Sequence, residues 1–352
     1  MRILFVIPGD IDLPTGGYRY DRHIILEWRK SRQEVDLISL EGNYPFPTDE
    51  EKANALKAIE HFPPAEIAVV DGLLGGASPE FLKKLADKMP VVSLLHHPLC
   101  LENGLSEQVA KELKESEKSG LAWVKAVITT SETTSQTVKD LFKFAPERIH
   151  AVLPGVNRPA NRAANTPDSD SNTAKLICVA SVIPRKSHRT LLEALAELRN
   201  LDWVLNCYGS TQFDEALFLN LKEFIEKNSL TDKVAFHGAV EDKTIEEAYA
   251  SSDIFVLPSQ YEGYGMVYAE AIVRGLPVIG TTGGAIAKTV PPSCGILIEP
   301  ENTRQLKQAL EKLITDKSLR LEYKENTIRA EPEFPTWQTA AQQFAKRLKE
   351  LA

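Results

Sequence analysis

The stretch "DIFVLPSQYEGYGMVYAEAIVRGLPVIG" (residues 253–280) holds a complete repeat of the fold. A short β-rich apolar run, 253–258, meets a loop with two glycines. A helical segment follows over 266–274, and a second apolar run, "LPVIG", closes the unit. Apolar runs joined by a helix are the signature of parallel strands buried on both faces. Gly263 and Gly265 make a continuous helix across 262–265 unfavourable, so the helix is expected to begin near Gly265 or Met266, with Glu270 in its second turn. Glu262 then lies in the loop before it. The two glutamates raise three readings: a catalytic pair, a nucleotide clamp, or the solvated face of a helix.

Working outward, the same alternation fills the chain. The first half carries strands in "RILFVI", "EVDLISL", "AEIAVVD", "PVVSLLH", "KAVITT" and "RIHAVLP", with helical patterns at 18–32, 79–88, 106–122 and 132–144. The stretch 157–175 is small, polar and proline-bearing, the composition of a linker. Beyond it "LICVASV", "WVLNCYG", "KVAFHG", "DIFVLP", "LPVIG" and "GILIEP" alternate with helices at 187–199, 213–228, 243–250 and 266–274. The expected class is α/β: two Rossmann-like, doubly wound parallel-sheet domains. Their bounds are 1–158, a linker at 159–174, 175–335, and an amphipathic helix at 336–352 expected to pack across the domain boundary.

Bulk properties narrow the function classes. A chain of 352 residues suits two cores rather than one. The net charge of −8 divides evenly about residue 158, so no broad nucleic-acid surface is expected. The four cysteines are scattered without a C-x-x-C pair and read as buried thiols of a reducing compartment. The N-terminal apolar run is broken early by Pro8 and Gly9, and no run approaches a membrane span. A cytoplasmic location is expected.

In such sheets ligands lie beyond the carboxyl ends of the strands. Gly16 and Gly17 follow the first strand and permit close backbone approach; a plain turn is the alternative. His96 ends the fourth. Arg185 and Lys186 follow the first strand of the second half, where they can hold phosphate or form a solvated basic turn. The N–H groups of Gly265, Met266 and Val267 open a helix and suit a diphosphate. Two carboxylates beside a diphosphate are poor electrostatics unless they bind hydroxyls, which favours a nucleotide sugar over bare phosphate. Gly283 and Gly284 give a further approach point on that rim. "DSD" (168–170) lies in the polar linker and "DID" (10–12) in a turn, so neither is read as a metal motif; no zinc cluster, G-x-S-x-G elbow or G-x-G-x-x-G fingerprint is present.

At this point the chain resembles the retaining family 4 glycosyltransferases of the GT-B fold (glycosyl transferases group 1), from the first glycine loop through "VASVIPRKSHRTLLEAL" and "FVLPSQYEGYGMVYAEAIVRGLPVIGTTGGA" to the last helix. The resemblance implies two domains facing a central cleft and hexosyl transfer, with retention, from a nucleotide-diphosphate sugar, UDP or GDP, to a saccharide or lipid acceptor. It implies no cofactor and no metal. By position, Glu262 would bind the donor sugar's hydroxyls and Glu270 the ribose. Arg185 and Lys186 would neutralise the leaving diphosphate, assisted by Gly265, Met266, Val267, Gly16 and Gly17. His96 would reach the donor sugar. Ala180 and Ser181 stand where relatives often carry Gly-Arg, and Lys288 where they often carry an acid. The basic, Trp- and Ile-bearing segment 18–33 is a candidate peripheral contact with the inner face of a membrane; a core-packed helix with a charged outer face is the alternative. A sugar-nucleotide epimerase or hydrolase, a nicotinamide oxidoreductase and a non-catalytic nucleotide-sugar binder are the rival readings.

Overall fold

A computed structural model describes residues 1–102, 104–159 and 173–352. Most of the expected linker, and the "DSD" at 168–170, lie outside the described residues. The chain divides into two compact units, Met1–Gly155 with Pro335–Ala352, and Val156–Phe334.

The first unit runs β1 (Arg2–Pro8), α1 (Gly16–Lys30), β2 (Glu34–Leu40), α2 (Asp49–Ala58), β3 (Ile67–Asp71), α3 (Gly72–Ala77), α4 (Pro79–Ala86), β4 (Val91–Leu95), α5 (Glu107–Leu121), β5 (Ala126–Thr129), α6 (Glu132–Phe142) and β6 (Ile149–Ala151). Its sheet has the order β2-β1-β3-β4-β5-β6, every pair parallel. The inner strands β3, β4 and β5 are buried at every residue, which is why they read as unbroken Val/Ile/Leu runs.

The second unit runs β7 (Ala174–Val179), α7 (His188–Ala196), β8 (Trp203–Tyr208), α8 (Glu215–Lys227), β9 (Val234–Phe236), α9 (Asp242–Ala250), β10 (Ile254–Val256), α10 (Met266–Val273), β11 (Val278–Thr281), α11 (Ile286–Thr289), β12 (Gly295–Ile298), α12 (Thr303–Thr315) and α13 (Lys317–Ala330). Its parallel sheet has the order β12-β11-β10-β7-β8-β9. From β7 the chain builds outward through β8 and β9, then restarts on the other side with β10. The strand order therefore reverses between β7 and β10, and the loops leaving these two strands flank the switch point where α/β sheets bind ligands.

The last helix, α14 (Trp337–Leu351), belongs to the first unit. Its apolar stripe meets α1: Trp28 and Phe344 pack edge to face at 5.1 Å, and Trp28 Nε1 donates to Ala341 O at 2.8 Å. That packing matches the alternative reading of 18–33, a core-packed helix with a charged outer face. Tyr18, Tyr20, Ile24, Ile25 and Trp28 are all buried in the unit, and Arg22 is held by Ile11 O and Asp12. The outer face carries Arg29 and Lys30, with Leu26 exposed beside them. No helix among the described residues is long and apolar enough to cross a membrane. All four cysteines are free and buried, as expected.

Candidate functional site

In the second unit the loops leaving β7 and β10 meet at the switch point. The first makes a short 3₁₀ turn, Pro184–Lys186, and ends at Ser187, which takes a left-handed conformation before α7. The second carries Glu262. Gln260 N donates to Arg185 O at 2.8 Å, and Arg185 Nη1 donates to Tyr261 O at 2.7 Å, so the two loops are stitched through backbone and side chain. The side chains then converge: Lys186 Nζ lies 2.5 Å from Glu262 Oε1, and Arg185 Nη1 lies 3.4 Å from Glu262 Oε2.

Glu262 is only 8% exposed. Burial alone would raise its carboxyl, but Lys186 and Arg185 outweigh burial and hold it below the usual range. Burial lowers Lys186, and Glu262 restores only part of the shift. Two cations thus share one carboxylate, leaving positive charge in excess where an anionic ligand can take it up.

The glycines around this cluster act differently from the sequence expectation. Gly283 and Gly284 approach the Glu262 loop itself: a Cβ at Gly283 would lie 2.0 Å from Gln260 O, and one at Gly284 2.3 Å from Glu262 O. Ala285 N donates to Glu262 O at 2.8 Å. The pair positions Glu262 by packing loop on loop. Gly265 caps α10 in the left-handed region (φ 86°) with no side-chain cap, so α10 starts at Met266 with its first N–H groups directed outward along the axis. Glu270, one turn on, is 4% exposed and accepts from Tyr249 Oη at 3.4 Å. The helix-surface reading of both glutamates is therefore excluded, and they sit on separate elements rather than flanking one bond.

The first unit brings together another group of expected residues. Thr15 caps α1, whose first residues are Gly16 and Gly17. Gly17 packs on His96; a Cβ there would meet the ring's Cδ2 at 3.2 Å. Two acids that sequence reading did not single out face the same ring. Asp21 Oδ1 lies 3.0 Å and Asp71 Oδ2 3.6 Å from His96 Nε2. Burial, then the neighbouring Asp21, pushes Asp71 up to about 7. Both acids left a trace in the sequence: Asp21 shares the buried helical face of Ile24, Ile25 and Trp28, and Asp71 ends an apolar strand. Among the described residues this trio has ligand atoms close enough to one another for a cation. The "DID" stretch is a local exposed turn, with Asp12 N donating to Asp10 Oδ1 at 2.9 Å.

Comparison with known proteins bears on this geometry. Residues 158–330 match the family model of glycosyl transferases group 1. The MMP alpha-(1->4)-mannosyltransferase of Mycolicibacterium hassiacum is 24% identical over 275 residues, covering 72% of this chain and 64% of the relative. A GDP-mannose-dependent monoacylated alpha-(1-6)-phosphatidylinositol monomannoside mannosyltransferase of Corynebacterium glutamicum is 29% identical over 53% of this chain and 52% of its own length. The matches thus span between half and two thirds of these relatives. Among solved structures, sucrose-phosphate synthase from Thermosynechococcus elongatus aligns with a TM-score of 0.81 at 18% identity over 99% of each chain. Anabaena HepE in complex with UDP and glucose aligns at 0.75 and 17% identity over the whole of both. At these identities the structural likeness establishes the fold, the two-domain GT-B architecture.

Proposed function

From the match of residues 158–330 to glycosyl transferases group 1 we propose that the chain is a retaining, metal-independent hexosyltransferase. Its donor on this reading is a nucleotide-diphosphate sugar and its acceptor a saccharide or lipid. The observation that carries the reading is the Lys186–Glu262–Arg185 cluster at the switch point of the second sheet.

The difficult step in glycosyl transfer is breaking the bond between the anomeric carbon and the phosphate oxygen. Negative charge grows on the leaving diphosphate while the sugar becomes oxocarbenium-like. Fixed cations aimed at the leaving group lower that barrier without reorganising. Arg185 and Lys186 are fixed in this sense, since their loop is hydrogen-bonded to its neighbour before any ligand arrives. The N-terminus of α10 adds partial positive charge. Glu262, held ionised by the same cations, accepts hydrogen bonds from the sugar's hydroxyls. Glu270 receives the ribose hydroxyls on the next turn. UDP and GDP are the favoured nucleotides; the C. glutamicum relative is named for GDP-mannose, and HepE is known in complex with UDP.

The test is a thermal-shift screen against UDP-, GDP- and ADP-sugars, followed by transfer assays with the donor that raises Tm. Binding without turnover, whatever the acceptor, would favour the non-catalytic reading, for which Ser181 in place of the relatives' arginine is the support.

A further inference from the structure

His96 is held on three sides in the first unit. Asp21 and Asp71 occupy its Nε2 edge, Gly17 lies against Cδ2, and the Tyr20 ring stands edge-on at 5.4 Å. The ring is 21% exposed, and Nδ1 is not among the buried polar atoms lacking a partner; the ring's recorded bonds all run through Nε2. Nδ1 is therefore the edge turned to solvent.

The acids behind the ring are unusual for their burial. Asp21 is fully buried and Asp71 nearly so, and Asp21 Oδ2 has no hydrogen-bond partner among the described residues. A buried carboxylate oxygen left bare is costly. A proton shared between the two acids meets that need, consistent with Asp71 being pushed up to about 7 by burial and by Asp21. Asp71 is also tied by Leu73 N, which donates to its Oδ1 at 2.7 Å, so its carboxyl is fixed to the start of α3.

We propose that Asp21, backed by Asp71, is a positioning residue for His96: it keeps a proton on Nε2 and leaves Nδ1 as the ring's working atom toward a substrate oxygen. An imidazole's two nitrogens are distinct, and a carboxylate on one decides what the other can do. The inference rests on the glycosyltransferase reading for what Nδ1 meets, an oxygen of a sugar substrate. It rests on the structure alone for the arrangement of the acids and the ring.

The test uses the full chain and the near-isosteric variant Asp21→Asn, with Asp71→Asn beside it. Nitrogen-15 NMR of His96 at a pH where the ring is neutral reads the tautomer directly and needs no substrate. The wild type should show the Nε2–H form, and Asp21→Asn should move the proton toward Nδ1 while Tm stays within a few degrees. In transfer, Asp21→Asn should lower kcat roughly 10²- to 10⁴-fold, with KM for the nucleotide sugar nearly unchanged, as expected when an imidazole carries its proton on the wrong nitrogen. Asp71→Asn keeps its bond from Leu73 N and should lose less. An unchanged tautomer in Asp21→Asn overturns the proposal whatever the enzyme transfers, and so does wild-type kcat with a moved tautomer. Broadening of the His96 signals by micromolar Mn²⁺, abolished in Asp21→Asn, would also overturn it by making the trio a cation site.

Discussion

Replacing Lys186 with methionine separates the structural from the chemical role of the ion pair. Methionine keeps the aliphatic stem but removes the charge 2.5 Å from Glu262 Oε1. Breaking a buried pair by deleting one partner costs about 3–5 kcal/mol. Here the side chains keep 15% and 11% exposure and Arg185 remains 3.4 Å away, so a discounted cost of about 1–3 kcal/mol is expected. For a unit of this size that is a fall in Tm of roughly 2–10 °C. Transfer should fall further, by about 10²–10³ in kcat, the loss typical of removing one fixed donor from a developing anion. The double variant Lys186→Met/Glu262→Gln sharpens the test. With both charges gone Glu262 is no longer an under-paired buried ion, and Arg185 keeps its bond to Tyr261 O but loses its carboxylate, so Tm should recover part of the loss while kcat does not. Melting curves and initial-rate kinetics on the single and double variants make the measurement. Wild-type kcat in Lys186→Met, or a double variant less stable than the single, would refute the reasoning.

Four further outcomes follow from the geometry. Glu262→Gln removes the group that holds Lys186 protonated against burial, so residual transfer should rise as pH falls; a flat pH profile would count against the pairing. Gly283→Ala forces a Cβ to within 2.0 Å of Gln260 O, and should cost kcat by displacing Glu262 as well as about 1–3 kcal/mol of stability in chemical denaturation. Trp28→Phe deletes the bond to Ala341 O and should destabilise the first unit by about 1 kcal/mol, with transfer per folded molecule unchanged. Burial pushes the Glu117 carboxyl up to about 7, so the native state holds a proton that the unfolded chain releases. That contribution is complete below the ordinary glutamate range and is lost as pH rises through about 7, so Tm should fall between pH 5 and 8, less steeply in Glu117→Gln.

The strands were legible because inner parallel strands must be apolar on both faces, and runs such as "AEIAVVD" and "DIFVLP" allow little else. Helices with a strong stripe, α1 and α14 among them, were equally plain. The reading of the second half places no helix between 274 and 336, although α12 and α13 lie there. α13 buries little beyond Thr327 and Ala330, so its pattern carries no stripe, whereas α12 has one, with Leu306, Leu310 and Leu313 inside. Within the candidate site, the residues directly after the strands were singled out from their place in the chain. Gly283 and Gly284 were assigned to a ligand because sequence shows that backbone comes close to something, without saying to what. Asp21 and Asp71 were missed because each looks ordinary alone: an acid on a charged helix, and an acid ending a strand. Only the fold puts them on the same histidine.

The central claim, that this chain transfers sugar from a nucleotide diphosphate, is tested most directly by following nucleotide release from the donor chosen by thermal shift, with and without an acceptor panel of saccharides and diacylglycerol. The account predicts release of the nucleoside diphosphate that depends on an acceptor, matches new glycosidic product mole for mole, and falls at least a hundredfold in Lys186→Met. Release that is indifferent to acceptor, or equal in Lys186→Met, would contradict it.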